Sequence, residues 1–222
     1  MNLLWILLVA VGTCAAADVA RLGNAIRASA GEEVASLAEL YRQLHRSPEL
    51  STQEEKTAAR IAQELTAAGY QVTTGIGGYG VVGLLRNGPG PTVLIRTDLD
   101  GLPVEEKTGA PYASRNPGVM HACGHDMHMT SFVGAARVLS KLKNHWKGTL
   151  LLVGQPAEEA VGGAARMLAD VLYRRFPRPD YCLALHVDAA LQSGRVGYRE
   201  GFILANVDAV DITIRGQGGH GS

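Results

Sequence analysis

The chain has 222 residues, 46% of them hydrophobic and 19% charged, with no low-complexity tract. That balance excludes a disordered polymer and supplies enough apolar side chains for one sizeable core. Lysine plus arginine equals aspartate plus glutamate at 21 each, so no strong field favours nucleic acid or an anionic membrane surface.

The run Leu3–Val11 is apolar for too few residues to span a bilayer and is followed by Ala15-Ala16-Ala17, a small-residue cleavage pattern. Residues 1–17 therefore read as a secretory signal, which predicts a secreted or periplasmic protein without stable membrane insertion. Val34, Leu37, Leu40, Tyr41 and Leu44 predict a helix over Glu32–Arg46, closed by Pro48. Ser51, with Glu54 three residues on, predicts the cap of a second helix running through Ile61 and Leu65 to Gly69. Strand patterns follow at 70–74, 81–86 and 92–97, the last two separated by Asn87-Gly88-Pro89-Gly90. Next come a helix from Asp126 to Leu142, a strand at 149–153, a helix near 163–173 and a strand over Tyr181–His186. Shorter β patterns lie at 195–199 and 207–215. Helices alternating with strands, some paired as hairpins, predict an α/β fold with a mixed sheet covered by helices. Lys141, Lys143 and Lys147 sit where a helix ends and cations offset free carbonyls, a structural role.

Gly75-Ile76-Gly77-Gly78-Tyr79-Gly80 matches a dinucleotide fingerprint letter for letter, but the fingerprint needs a helix next. Val81-Val82-Gly83-Leu84-Leu85 is β-rich instead, so the string predicts a strand-to-strand turn.

Four segments carry potential metal chemistry, each where an apolar strand pattern runs out. Asp98 and Asp100 flank Leu99, so alternation puts both carboxylates on one face. His121, Cys123 and His125 occur at spacing two, with Gly124 to bend the backbone, and Asp126 and His128 extend the cluster. Glu158-Glu159 follow the strand Leu150–Val153, and a hydrolytic metal site uses one carboxylate on the metal and a second near the water. His186 ends the apolar run Tyr181–Leu185. Together the segments predict one dinuclear metal site at strand ends. Without the signal, Cys123 and Cys182 remain. Cys182 lies four residues before His186, roughly 13 Å away at ~3.3 Å per residue. If Cys123 and His186 share a metal, Cys123 cannot also pair with Cys182, which then reads as a small buried hydrophobe.

The segments Arg96–Pro103, His121–Asp126, Gln155–Glu159, Ala184–His186 and Gly218–Gly221 resemble those of the amidohydrolases of the metallo-aminoacylase and carboxypeptidase superfamily. That superfamily includes hippurate hydrolases, N-acyl-amino-acid amidohydrolases and plant auxin-conjugate hydrolases. The resemblance covers about Leu44 to Ser222. It implies a zinc-peptidase-like catalytic domain, here its N-terminal part over 18–205, and the beginning of an α+β lid or dimerisation domain over 206–222. It implies Cys123, His125, Glu159 and His186 as ligands of two divalent ions, manganese or zinc, with the Cys123 thiolate bridging them. Glu158 would be the general base, Asp100 would orient the site, and His220 would meet the substrate and its oxyanion. The family's last histidine ligand is expected beyond Ser222, with His121 and His128 as nearby substitutes. The implied activity is cleavage of N-acyl amino acids or small peptides by metal-activated water, in a homodimer formed through the lid. A reading from a different class makes the chain a catalytically inactive fragment, or a truncated metal-binding protein without that histidine.

Overall fold

A computed structural model describes residues 3–160, 162–170, 172–203, 210, 212–216, 218 and 219, with side chains from residue 20 onward. The chain divides into two compact units, Met1–Val187 and Asp188–Ser222. The first holds every helix and strand found among the described residues.

In chain order the elements are α1 (Leu3–Arg46), α2 (Glu55–Ala67), β1 (Gln71–Ile76), β2 (Gly80–Asn87), β3 (Thr92–Asp98) and α3 (His125–Lys141). A short 3-10 turn at Lys143–His145 leads to β4 (Gly148–Gln155), α4 (Gly163–Ala169), α5 (Leu172–Arg175) and β5 (Tyr181–Ala184). The five strands form one mixed sheet in the order β1-β2-β4-β3-β5. β1, β2 and β4 are antiparallel neighbours, whereas β3 runs parallel to both β4 and β5. Gly77 and Gly78 make the hairpin turn between β1 and β2, both with positive φ, so the Gly-rich string is the turn that the β-rich residues after it predicted. The Asn87–Gly90 turn is not a hairpin, because β4 inserts between β2 and β3.

Strand alternation separates two cores. Val81, Leu150 and Leu152 face α1, α2 and α3, packing against Leu40, Leu44, Ile61, Leu65, Met129 and Phe132. Val82, Leu84, Leu94, Leu151 and Val153 face α4 and α5 through Met167 and Leu172. Helices thus cover both faces. Arg137 of α3 ties the three-helix layer together, bonding Glu33 of α1 at 2.8 Å and Glu64 of α2 at 2.5 Å.

Several expectations are corrected. The first helix begins at Leu3 rather than Glu32, and its backbone runs unbroken through the stretch read as a signal. Val34, placed on its apolar face, is exposed: at this level α1 meets α3 through the ion pairs of Glu32 and Glu33, and the apolar packing comes further along, at Leu37 and Leu40. None of the described helices is long and apolar enough to cross a membrane. Ser51 does not cap α2. The N-cap is Glu54 and no side chain caps the helix, because the Ser51 hydroxyl donates to Asp100 at 2.5 Å. The helix expected near 163–173 is two short ones. β5 stops at Ala184, so His186 lies two residues past the strand. Cys182 is exposed rather than buried: β5 is an edge strand, and among the described residues no helix covers it. The β pattern at 195–199 forms no strand, and Val196 and Tyr198 stand in solvent without a partner strand. The pattern at 207–215 falls partly outside the described residues, and those described there form no strand.

Leu152 is fully buried at the centre of the sheet. Leu152→Ala is expected to cost about 2–5 kcal/mol, seen as a lower urea midpoint at unchanged slope, whereas Cys182→Ser on the exposed edge should stay within about 0.5 kcal/mol.

Candidate metal centre

The three parallel strands end on the same side of the sheet, and each carries a polar segment at its carboxyl end. β3 ends in Asp98, paired in register with Gln155 of β4. Pro156 to Glu159 follow β4, and His186 follows β5. α3 starts opposite them with His125, behind Gly124, whose φ of 83° lies in the left-handed region. A Cβ at Gly124 would come within 2.5 Å of Val187 Cγ2, so glycine lets the 121–125 loop approach the segment carrying His186.

His125 is the hub. It is 1% exposed, and its Nδ1 lies 2.8 Å from the Asp100 carbonyl oxygen, which can only accept. Nδ1 therefore carries a proton, and Nε2 is the nitrogen left for a cation, with no hydrogen-bond partner. It stands 3.6 Å from Asp98 Oδ2 and from Glu159 Oε1, and 3.9 Å from Glu158 Oε2. Cys123 Sγ is 3.4 Å from His186 Nε2, and His186 Nδ1 donates to the Val187 carbonyl at 2.7 Å, again freeing Nε2. Three sets of ligand atoms converge within 4.8 Å: Cys123, His125 and His186; Asp98, His125 and His128; His125, Glu158 and Glu159.

The electrostatics call for a cation. Burial pushes the Cys123 thiol up to about 12, and Glu159, Glu158 and Asp98 push in the same direction. A divalent ion at Sγ would reverse that balance, since a coordinating thiol loses its proton outright. Glu159 Oε1 and Asp100 Oδ1 are buried without partners, as is His125 Nε2, so the donor set suits a metal better than it suits itself. The Asp100 carboxyl is carried down to about 2: burial opposes this, but His125, the Ser51 hydroxyl and the backbone of Glu159 and Glu158 outweigh it. Histidine held through its far nitrogen by a carbonyl or carboxylate is the arrangement that orients metal-bound imidazoles.

Of the residues singled out in the sequence, Asp98, Asp100, Cys123, His125, Glu158, Glu159 and His186 come together. His128 does not substitute for a missing ligand, because both nitrogens are engaged, Nδ1 with Asp98 at 2.8 Å and Nε2 with the Val187 amide at 2.9 Å. His121 is buried, and neither ring nitrogen has a partner, yet it stands outside the converging sets. It lines a cleft of about 410 Å³ beside Cys123, with Tyr41, His45 and Tyr112. His220 lies outside the described residues.

The sequence profile of peptidase family M20/M25/M40 matches residues 94–219. The chain belongs to this family. A Synechocystis sp. protein named "probable hydrolase" is 44% identical over 188 residues, 84% of this chain and 47% of its own. The hippurate hydrolase of Campylobacter jejuni is 41% identical over 181 residues, 81% of this chain and 46% of its own. Among solved structures, Bacillus subtilis YXEP, described as a dinuclear metal binding peptidase from the M20 family, superposes with a TM-score of 0.60. It is 36% identical and matches 66% of this chain and 40% of its own. The chain spans about half the length of the curated relatives it matches.

Two features of this M20-family chain were not read as part of the site from the sequence, Glu54 because it looked like a helix-capping residue and His45 because it carried no local pattern. Glu54 is fully buried beside the Glu158 turn. His45, at the end of α1, lies between Asp126 Oδ2 at 2.6 Å and Glu106 Oε1 at 3.1 Å. Glu106 also accepts the Ser114 amide at 2.5 Å, so the trio ties the 105–118 loop to the first turn of α3. Their partners are tens of residues away, beyond any periodic pattern.

The histidines set opposite pH limits. Against the pull of burial, Asp126 and Glu106 hold the His45 imidazolium above its ordinary value of about 6.5. Its contribution is complete below that value and is lost as pH rises through the folded one. Burial pushes His121 down to about 4, so the unfolded chain takes up a proton that the folded chain refuses. Stability is therefore lost as pH falls from ~6.5 towards 4. The metal-free protein should have its highest melting temperature near pH ~6.5. His45→Gln should flatten the alkaline arm and His121→Asn the acid arm, and identical profiles for all three proteins would refute the assignment.

Proposed function

We propose that this chain carries the metal centre of a metal-dependent amidohydrolase that cleaves N-acyl amino acids, of which hippurate is the simplest aroyl example. The observation that carries the reading is the buried, unpartnered Nε2 of His125, shared by all three converging ligand sets. The similarity to a hippurate hydrolase supports the substrate class.

Cys123, His125, Glu159 and His186 would hold two ions, manganese or zinc, both of which accept thiolate, imidazole and carboxylate together. Bound there, the ions supply Lewis acidity and lower the pKa of water towards ~7. The two glutamates differ in access: the Glu158 side chain is 39% exposed and that of Glu159 is 20% exposed. Glu158 is thus free to take the proton from attacking water on a carboxylate oxygen and return it to the departing amino-acid nitrogen. Asp100 keeps the His125 ring in one tautomer through its carbonyl and receives the Glu159 amide on Oδ2 at 2.9 Å. His220 would complete the site by donating to the acyl oxygen. Export through residues 1–17 and dimerisation through a lid beginning at 206 belong to the same proposal.

Manganese-loaded protein is expected to release glycine from hippurate. Glu158→Gln should keep the metal and lose about 10²–10⁴ in kcat. Wild-type turnover by Glu158→Gln would refute the role of Glu158. Manganese bound without hydrolysis of any N-acyl amino acid would support the metal-binding, non-catalytic alternative.

A further inference from the structure

The turn that carries Glu158 and Glu159 is held from behind by a buried acid that bonds the residue just before them. Glu54, at the N-cap of α2, is 0% exposed. Its Oε1 accepts the amide of Ala157 at 2.6 Å and that of Thr52 at 2.9 Å. Its Oε2 is buried without a partner. Ala157 and Thr52 are the two non-glycine residues with positive φ, 49° and 68°, among the described residues. Such backbone persists only where its surroundings over-determine it, and one carboxyl oxygen meets both. From the other side, Asp100 Oδ2 accepts the Ser51 hydroxyl at 2.5 Å and the Glu159 amide at 2.9 Å. The segment Ser51–Glu54 therefore grips the Ala157–Glu159 turn through two acids, one acting on each end. Burial holds the Glu54 carboxyl above the usual carboxylate range, in keeping with a group that serves by accepting hydrogen bonds and not by its charge.

We propose that Glu54 is a positioning residue that, as a buried hydrogen-bond acceptor for the Ala157 amide, fixes the turn so that Glu159 faces His125 Nε2 and Glu158 stays free. The consequence for metal binding rests on the function proposed above. The positioning of the turn does not. Gln at this position keeps an equivalent acceptor oxygen, whereas Leu fills similar space and leaves both amides unpaired.

The test compares the whole wild-type chain with Glu54→Gln, Glu54→Leu and a core control on the same helix, Ile61→Val, where Ile61 is likewise fully buried. Amide exchange at Ala157 reports the turn without metal, and Mn²⁺ affinity by electron paramagnetic resonance reports the ligands. Glu54→Leu is expected to speed Ala157 exchange at least about tenfold and to weaken Mn²⁺ binding about 10–100-fold. Glu54→Gln should stay within about threefold of wild type in both, and Ile61→Val should lower the melting temperature while changing neither. Unchanged Ala157 exchange in Glu54→Leu, equal opening in Ile61→Val, or unaltered Mn²⁺ affinity once the turn has opened would each overturn the proposal. If wild type itself binds no Mn²⁺ while only Glu54→Leu frees Ala157, the positioning role stands and the metal-site reading fails.

Discussion

The hydrogen bond from His125 Nδ1 to the Asp100 carbonyl fixes which nitrogen of a buried imidazole carries the proton, and the rest of the site is arranged around the other. A buried ring nitrogen with carboxylate oxygens no closer than 3.6 Å and no hydrogen-bond partner is costly in a protein of any stability. A thiolate at Cys123 would be costly for the same reason, being buried among carboxylates. A divalent cation removes these penalties together, because it pairs the orphaned acceptors and favours the thiolate. Arg96 beside Asp98 at 2.8 Å and the His45 trio are the counter-charges the chain provides for itself, and neither reaches Cys123 or Glu159.

Topology makes this convergence possible. Placing β3 between β4 and β5, all parallel, brings three carboxyl ends to one edge of the sheet, the usual place for ligands in open α/β sheets. The antiparallel pair β1 and β2 carries no ligand and extends the apolar surface on which α2 packs. α3 returns the chain from β3 to β4 and delivers its N-terminal histidine to the same edge. The scaffold is rigid where the ligands are: Met129 and Val133 of α3 and Leu152 of β4 are fully buried.

The sequence made the ligands legible because strand ends can be read from where apolar runs stop, and the runs of the three parallel strands are each followed within a few residues by a carboxylate or histidine. Strand positions followed from period-two patterns and short turns, and every strand of the sheet lies within a few residues of its expected place. What stayed hidden depends on distant partners. Ser51 and Glu54 fit the local signature of a helix cap, but Asp100 and Ala157 claim both side chains across long sequence separations. Cys182 lies in an apolar run that looks like a core strand. An edge strand with uncovered faces has the same local pattern, so burial could not be read from it. The unbroken α1 was missed for the opposite reason: its first half is a continuous apolar run without a periodic face, and it was read as a signal.

The central claim is that one ion is bound through sulfur as well as imidazole. Zinc K-edge absorption on the metal-loaded chain tests it most directly. A Zn–S shell near 2.3 Å alongside N and O neighbours, absent in Cys123→Ser, is the predicted result. A wild-type spectrum with only N and O neighbours would contradict it.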